Sequence, residues 1–247
     1  MKYEWIRQFG LVAYLGQETA TGGYQIPLIP HILAVILCGA VAYFLGSLNF
    51  AIIISKYKFH DDIRNYGSGN GGLTNMMRTY GKKAAAFTLL GDVMKAVIAV
   101  MLGKLIAGES GAYIAGFLCV IGHSFPVYYG FKGGKGVLTT AAMVLCLDPL
   151  VFLILFTIFV CIVAGTRYVS LGSVMCLFMF PLLLNRIYPF THGGAQPGAV
   201  VTIVSILIAL LVIFLHRSNI KRLWEGNENK FSFKSKGKKP ADEKKEK

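Results

Sequence analysis

Apolar and polar positions come in long blocks along this chain. No charged residue occurs between 32 and 54, and at 1.5 Å per residue such a run is about long enough for a ~30 Å hydrocarbon core. Further apolar runs cover 84–107, 111–130, 150–165, 169–184 and 199–215, and a shorter one at 137–147 stops at Asp148-Pro149, where a helix normally ends. The pattern predicts an all-α fold, a polytopic membrane helical bundle with seven transmembrane helices spread over 31–231. Residues 1–30 hold only a short apolar patch at 9–15 and no small-residue cleavage site, so they are expected to be an extension, an interfacial segment or a loose arm, and not a signal peptide. The lysine-rich stretch 232–247 has no apolar periodicity and is expected to be disordered.

Seven spans would put the loops 55–83, 131–136 and 166–168 and the C-terminal tail on one face. That face holds twenty of the twenty-five lysines and arginines, which makes it cytoplasmic by the positive-inside rule. Every polar, glycine-rich cluster then lands on the same side and can contribute to one site. No internal repeat is visible, which argues against a transporter of the inverted-repeat kind.

Composition adds little that the pattern has not shown. With 55% hydrophobic residues, a mean hydropathy of +0.58 and a formal net charge of +13, the positive excess fits orientation signals and anionic lipids or substrates, and not nucleic acid. The five cysteines all fall inside apolar runs, so neither disulfides nor a metal site is expected.

The candidate chemistry starts with GHSFPVYYGFKGGKG at 122–136. It sets Lys132 and Lys135 among Gly133, Gly134 and Gly136, directly before an apolar run that must be helical. Ammonium groups, N–H groups uncovered by side chains and the positive end of a helix dipole would converge there on an anion, most simply a phosphate. The lysine is followed by Gly136 and not by Ser or Thr, so the match to an ATP-binding loop is superficial. GSGNGG at 67–72 fits GxGxxG but follows a membrane helix and no strand, which excludes a dinucleotide fold. What remains is a bare backbone flanked by Ser68, Thr74, Asn75 and Arg78, a dense set of donors for phosphate or polyol oxygens.

Each feature has a plainer reading. Lysines at helix ends often contact lipid phosphates, and a glycine-rich stretch can be an ordinary flexible loop. His123 and His216, each at the end of a span, could be satisfied interfacial side chains, and Ser170 and Ser173 could cap a helix. Asp92 and Lys95 lie three apart on one helical face, so an intrahelical ion pair is the economical reading, with a role beneath the site as the second.

Three motifs in this order, GSGNGGLTNMMR (67–78), GHSFPVYYGFKGGKGV (122–137) and HRSNIKRLWEGNE (216–228), together resemble the bacterial membrane glycerol-3-phosphate acyltransferases that use acyl phosphate as donor. The resemblance runs from about 35 to 231 and includes RYVSLGS at 167–173; Leu73 stands where the family usually has a small residue. It implies transfer of an acyl chain from acyl phosphate to the 1-hydroxyl of glycerol 3-phosphate, giving lysophosphatidic acid and phosphate in phospholipid biosynthesis. No cofactor or metal is implied. Lys135, His123 and Arg78 would be catalytic. Ser68, Thr74, Ser173, His216 and Asn219 would bind substrate, joined by Gly133 and Gly134 from the bare-backbone reading. The partners implied are the two substrates, membrane lipids and the soluble enzyme that makes acyl phosphate, and the place is the bacterial inner membrane with the site facing the cytoplasm.

Two other classes stay open at this level, a carrier for an organic phosphate and a non-catalytic lipid-binding protein. The base is open as well. Histidine side chains, here His123 and His216, have an unperturbed pKa near neutrality, and Asp92 reads as too deep to serve. Yet a pocket crowded with Lys135, Arg78 and Arg217 disfavours a further positive charge, so the donor's own phosphate is the favoured proton acceptor.

Overall fold

The structure is a computed structural model that describes residues 10–18, 24–25 and 27–232. The expected N-terminal arm is therefore described in part, and the tail from 233 lies outside the described residues. Nine α-helices are present among the described residues: α1 Leu28–Ser47, α2 Phe50–Phe59, α3 Leu73–Tyr80, α4 Lys82–Ser124, α5 Val137–Leu147, α6 Pro149–Thr166, α7 Val169–Thr191, α8 Ala199–Leu215 and α9 Arg217–Trp224. Short 3-10 turns at Gly10–Leu15, Ile63–Asn65 and Val127–Tyr129 and a two-stranded ribbon pairing Gln17–Glu18 with Tyr24–Gln25 complete it.

Four helical stretches are long and apolar enough to cross a membrane, Leu28–Phe59, Lys82–Tyr129, Pro149–Thr166 and Val169–Thr191. A fifth joins them if α8 and α9, bent by 56°, count as one. The expected seven is thus not confirmed. The 11 residues of α5 rise only about 16 Å, short of a hydrocarbon core, and the two runs read at 84–107 and 111–130 fall in one helical stretch, Lys82–Tyr129.

That stretch is not straight. Ala107 and Gly108 leave helical geometry, Gly108 at φ 65° and ψ −151°, and the chain doubles back there. A Cβ added at Gly103 would meet the Gly111 carbonyl oxygen at 2.4 Å and the Ala115 Cβ at 2.7 Å, so the limbs before and after the break lie backbone to backbone, as small residues permit. The second limb packs on α1 in the same way, with Gly46 against Cys119 and Gly122 against Tyr43. The main apolar core joins this limb to α5, α7 and α8 through Tyr113, Met143, Phe180, Leu184 and Ile208. The α4 break sits at one end of the bundle, where Tyr113 donates to Asp148 and the Tyr188 hydroxyl donates to Glu109 Oε1 at 2.6 Å.

The polar connections meet at the other end. α1 stops at Leu48, and Asn49 caps α2 by accepting the Ile52 N–H at 3.1 Å. The same side chain donates to the Gly71 carbonyl at 3.0 Å. Arg64 donates to the carbonyls of Tyr129 at 2.8 Å and Lys132 at 2.9 Å, tying the loop after α2 to the loop before α5. The Phe231 N–H reaches the Arg167 carbonyl at 2.7 Å, which lays the segment after α9 across the start of α7.

Candidate active site

These connections surround a cavity of about 510 Å³. Of the residues picked out in the sequence, Ser68, Thr74, Arg78, His123, Lys135, Ser173, His216 and Asn219 all line it. Its deeper wall is largely apolar, with Leu89, Phe152, Phe156, Phe159, Leu177 and Phe180 contributed by α4, α6 and α7. A cationic mouth thus opens onto a greasy trough.

The loop 67–72 owes its shape to Asn75. Its amide donates to the carbonyls of Ile63, Tyr66 and Asn70 at 3.2, 2.9 and 3.0 Å, and its oxygen accepts the Ser68 N–H at 3.1 Å. Asn75 is therefore the post on which the loop hangs, not the substrate donor its flanking position suggested. Replacing it with Ala strands several buried polar groups, each worth about 1–3 kcal/mol. A lowered Tm with a raised KM for the anionic substrate is the expected outcome, checked by thermal unfolding and steady-state kinetics of Asn75→Ala.

Gly133 and Gly134 do not line the cavity, and their N–H groups are not uncovered as the sequence suggested. They donate to the carbonyls of Ser124 and His123, each at 3.1 Å. Their glycine identity has a steric cause. A Cβ on Gly134 would lie 2.0 Å from His123 Nε2 and 2.8 Å from the Gly71 oxygen, and one on Gly133 would lie 2.1 Å from the His123 oxygen. Lys132 is exposed, whereas Lys135 projects into the cavity and donates to Asn219 Oδ1. Gly136, at φ 80°, turns the chain into α5, so the positive end of that helix does reach the site.

Asn219 is oriented by a residue the sequence reading left without a role. Glu228 Oε1 accepts from Asn219 Nδ2 at 2.8 Å and from the Ser170 hydroxyl at 3.1 Å, while Oε2 accepts from Arg222 Nε at 2.8 Å. With its amide nitrogen held there, Asn219 must turn its oxygen toward Lys135. Arg222 also lines the cavity, whereas Arg217, expected in the pocket, is exposed and stacks on the Phe214 ring at 4.5 Å. Neither serine caps α7: Ser170 serves Glu228, and Ser173 donates to the Val169 carbonyl at 2.8 Å.

Burial pulls Lys135 down to about 8, helped by Arg222 and opposed by Glu228. Arg78 is lowered by burial as well, with Glu228 opposing and Arg222 adding to it. His216, just past the end of α8, is pushed down to about 4 by burial and by Lys135. Its Nδ1 donates to the Val212 carbonyl at 2.7 Å, since that oxygen can only accept.

Asp92 corrects the sequence reading of depth. It forms the expected ion pair with Lys95, at 2.8 Å, yet it also lines the cavity and lies 3.5 Å from His123 Nδ1. The ion pair is thus present, and its Asp92 member borders the cavity. The spacing signal was there, but the fold of α4 that brings His123 onto it was not.

Comparison with known proteins agrees over most of the chain. Residues 36–226 match the family described as glycerol-3-phosphate acyltransferase. A glycerol-3-phosphate acyltransferase of Thermoanaerobacter sp. (strain X514) is 46% identical over 200 residues, covering 81% of this chain and 97% of that one. The one from Clostridioides difficile (strain 630) is 40% identical over 210 residues, covering 83% and 98%. The crystal structure of PlsY (YgiH), an integral membrane glycerol 3-phosphate acyltransferase, in its glycerol 3-phosphate form superposes with a TM-score of 0.71 at 37% identity, covering 82% of this chain and 96% of that one.

Proposed function

From its membership in the glycerol-3-phosphate acyltransferase family, to which this chain belongs, we propose that it moves an acyl group from acyl phosphate to the 1-hydroxyl of glycerol 3-phosphate, releasing lysophosphatidic acid (1-acyl-glycerol 3-phosphate) and phosphate. The observation that carries the reading is the union of Arg78, Lys135 and Arg222 with an apolar trough in one cavity. Both substrates bring phosphate to the cationic end, and one brings a chain for the trough.

In this reaction the hydroxyl oxygen bonds to the acyl carbon, the bond from that carbon to the phosphate oxygen breaks, and the hydroxyl proton leaves on the departing phosphate. Lys135 and Arg78 stabilise the charge that develops on that phosphate. Ser68, Thr74, Ser173, His216 and Asn219 position the substrates. Gly133 and Gly134 serve by letting the loop close on His123. A protein base is not needed. Taking a proton onto His216 is opposed by burial and by Lys135, which supports the donor phosphate as acceptor.

We assign catalysis to 31–231. The doubling-back at Ala107-Gly108, which divides α4 into two limbs, supports two crossings there, and our reading keeps seven in all, with the short α5 as one of them and the site on the cytoplasmic side of the bacterial inner membrane, where a soluble enzyme delivers acyl phosphate. The test is turnover by the purified protein with acyl phosphate and with acyl thioesters. The expected result is product only from acyl phosphate; equal use of thioesters sinks the donor assignment, and uptake of labelled glycerol 3-phosphate into proteoliposomes without product favours a carrier.

A further inference from the structure

The buried cluster behind the cavity contains a hydrogen-bond assignment that the reaction scheme above does not use. Lys95 Nζ lies 2.9 Å from His123 Nδ1, 2.8 Å from Asp92 Oδ1, 3.0 Å from the Gly46 carbonyl and 2.9 Å from the Leu48 carbonyl. Lys95, Asp92 and His123 are all buried. An ammonium group has three hydrogens, which these four neighbours share, and no lone pair, so at 2.9 Å from Nδ1 it can only donate. A neutral imidazole accepts at one nitrogen and carries its proton on the other. With Nδ1 accepting, the proton sits on Nε2.

The opposite tautomer fits poorly. A proton on Nδ1 would face the ammonium donor at 2.9 Å, and the acceptor available to it, Asp92 Oδ1, is farther away at 3.5 Å. The frame that sets this geometry is fixed from both sides. Lys95 holds the last carbonyls of α1, where the helix dipole is negative, and the Asp92 carboxylate faces the start of α2, where it is positive, 3.5 Å from the Phe50 N–H. Asp92 and Lys95 ride on the first limb of α4 and His123 on the second, so the break at Ala107-Gly108 is what joins them.

We infer that Lys95 and Asp92 are positioning residues that hold His123 with its proton on Nε2, so that the ring offers the site a fixed hydrogen-bond donor and not a base. Nε2 lies on the Gly134 side of the ring and His123 lines the cavity, so on this inference an acceptor oxygen of a phosphate or acyl group meets Nε2 there. The consequence for catalysis rests on the acyl-transfer reading; the position of the proton does not.

The test uses the full-length protein in lipid nanodiscs with ¹⁵N-labelled histidine, the His123 signals being those lost in His123→Gln. The expected spectrum at neutral pH shows Nε2 protonated and Nδ1 bare, and a protonated Nδ1 overturns the inference. Removing Lys95 alone leaves Asp92 uncompensated, so the paired variant Asp92→Asn/Lys95→Met, which removes both charges, carries the second arm. It is expected to lower turnover on the order of 10²-fold in the wild-type background and to cause no further fall in the His123→Gln background, because the pair acts through that ring. Full additivity would mean a merely structural role and overturns the inference. Absence of turnover by the wild-type protein with acyl phosphate would sink the acyl-transfer reading and leave the spectrum to decide this one.

Discussion

Lys135→Ala is expected to lower turnover on the order of 10²- to 10³-fold while leaving a folded, membrane-inserted protein, because it removes one preorganised charge from a water-poor site. Lys135 lines the cavity, and its ammonium is held by Asn219, which Glu228 orients. The pH profile identifies that charge. A lysine is cationic below its pKa, and this one is lowered to about 8, so kcat/KM should fall as pH rises through that value. Saturating phosphate substrate favours the cation and should move the corresponding limb of kcat to higher pH. Lys135→Arg keeps its charge throughout and should lack the limb. Near-normal turnover by Lys135→Ala would reduce the residue to a lipid contact.

Gly134→Ala is expected to be nearly as damaging, although it removes no charge. The added methyl would lie 2.0 Å from His123 Nε2 and 2.8 Å from the Gly71 oxygen. His123 is buried and held at Nδ1 by Lys95, so it has little room to yield. The strain of such overpacking is about 1–3 kcal/mol, and a displacement near 1 Å at a reacting centre costs on the order of 10²-fold in rate. Thermal unfolding should therefore show a modest loss and kinetics a large one. A variant with wild-type kinetics would mean that the loop between His123 and Gly71 is far looser than the packing indicates.

How much of this was legible depended on which physical signal each residue leaves in the sequence. The gathering of Ser68, Lys135 and Asn219 at one end followed from charge-poor runs and the parity of the loops, because hydrophobic length is a strong one-dimensional signal. The doubling-back at Ala107-Gly108 was legible as two separate runs, but the glycine contacts that fix its geometry were not. For Gly133 and Gly134 the residue type was right and the reason was not. A bare backbone can serve a ligand or a neighbouring side chain, and composition does not distinguish them. Arg222 could have been found in place of Arg217, since Asn219 and Arg222 lie three apart on α9, in step with His216 at its N-cap. Glu228 closes the third motif but shows no helical period, because it follows the last described helix and reaches Asn219, Arg222 and Ser170 by the chain turning back.

If one cavity brings the hydroxyl of glycerol 3-phosphate directly onto the acyl carbon of acyl phosphate, a single turnover with glycerol 3-phosphate carrying ¹⁸O in its 1-hydroxyl should leave the label in the ester of lysophosphatidic acid, with one equivalent of unlabelled phosphate released. Release of phosphate without lysophosphatidic acid, or ¹⁸O recovered in the phosphate, would contradict that direct transfer.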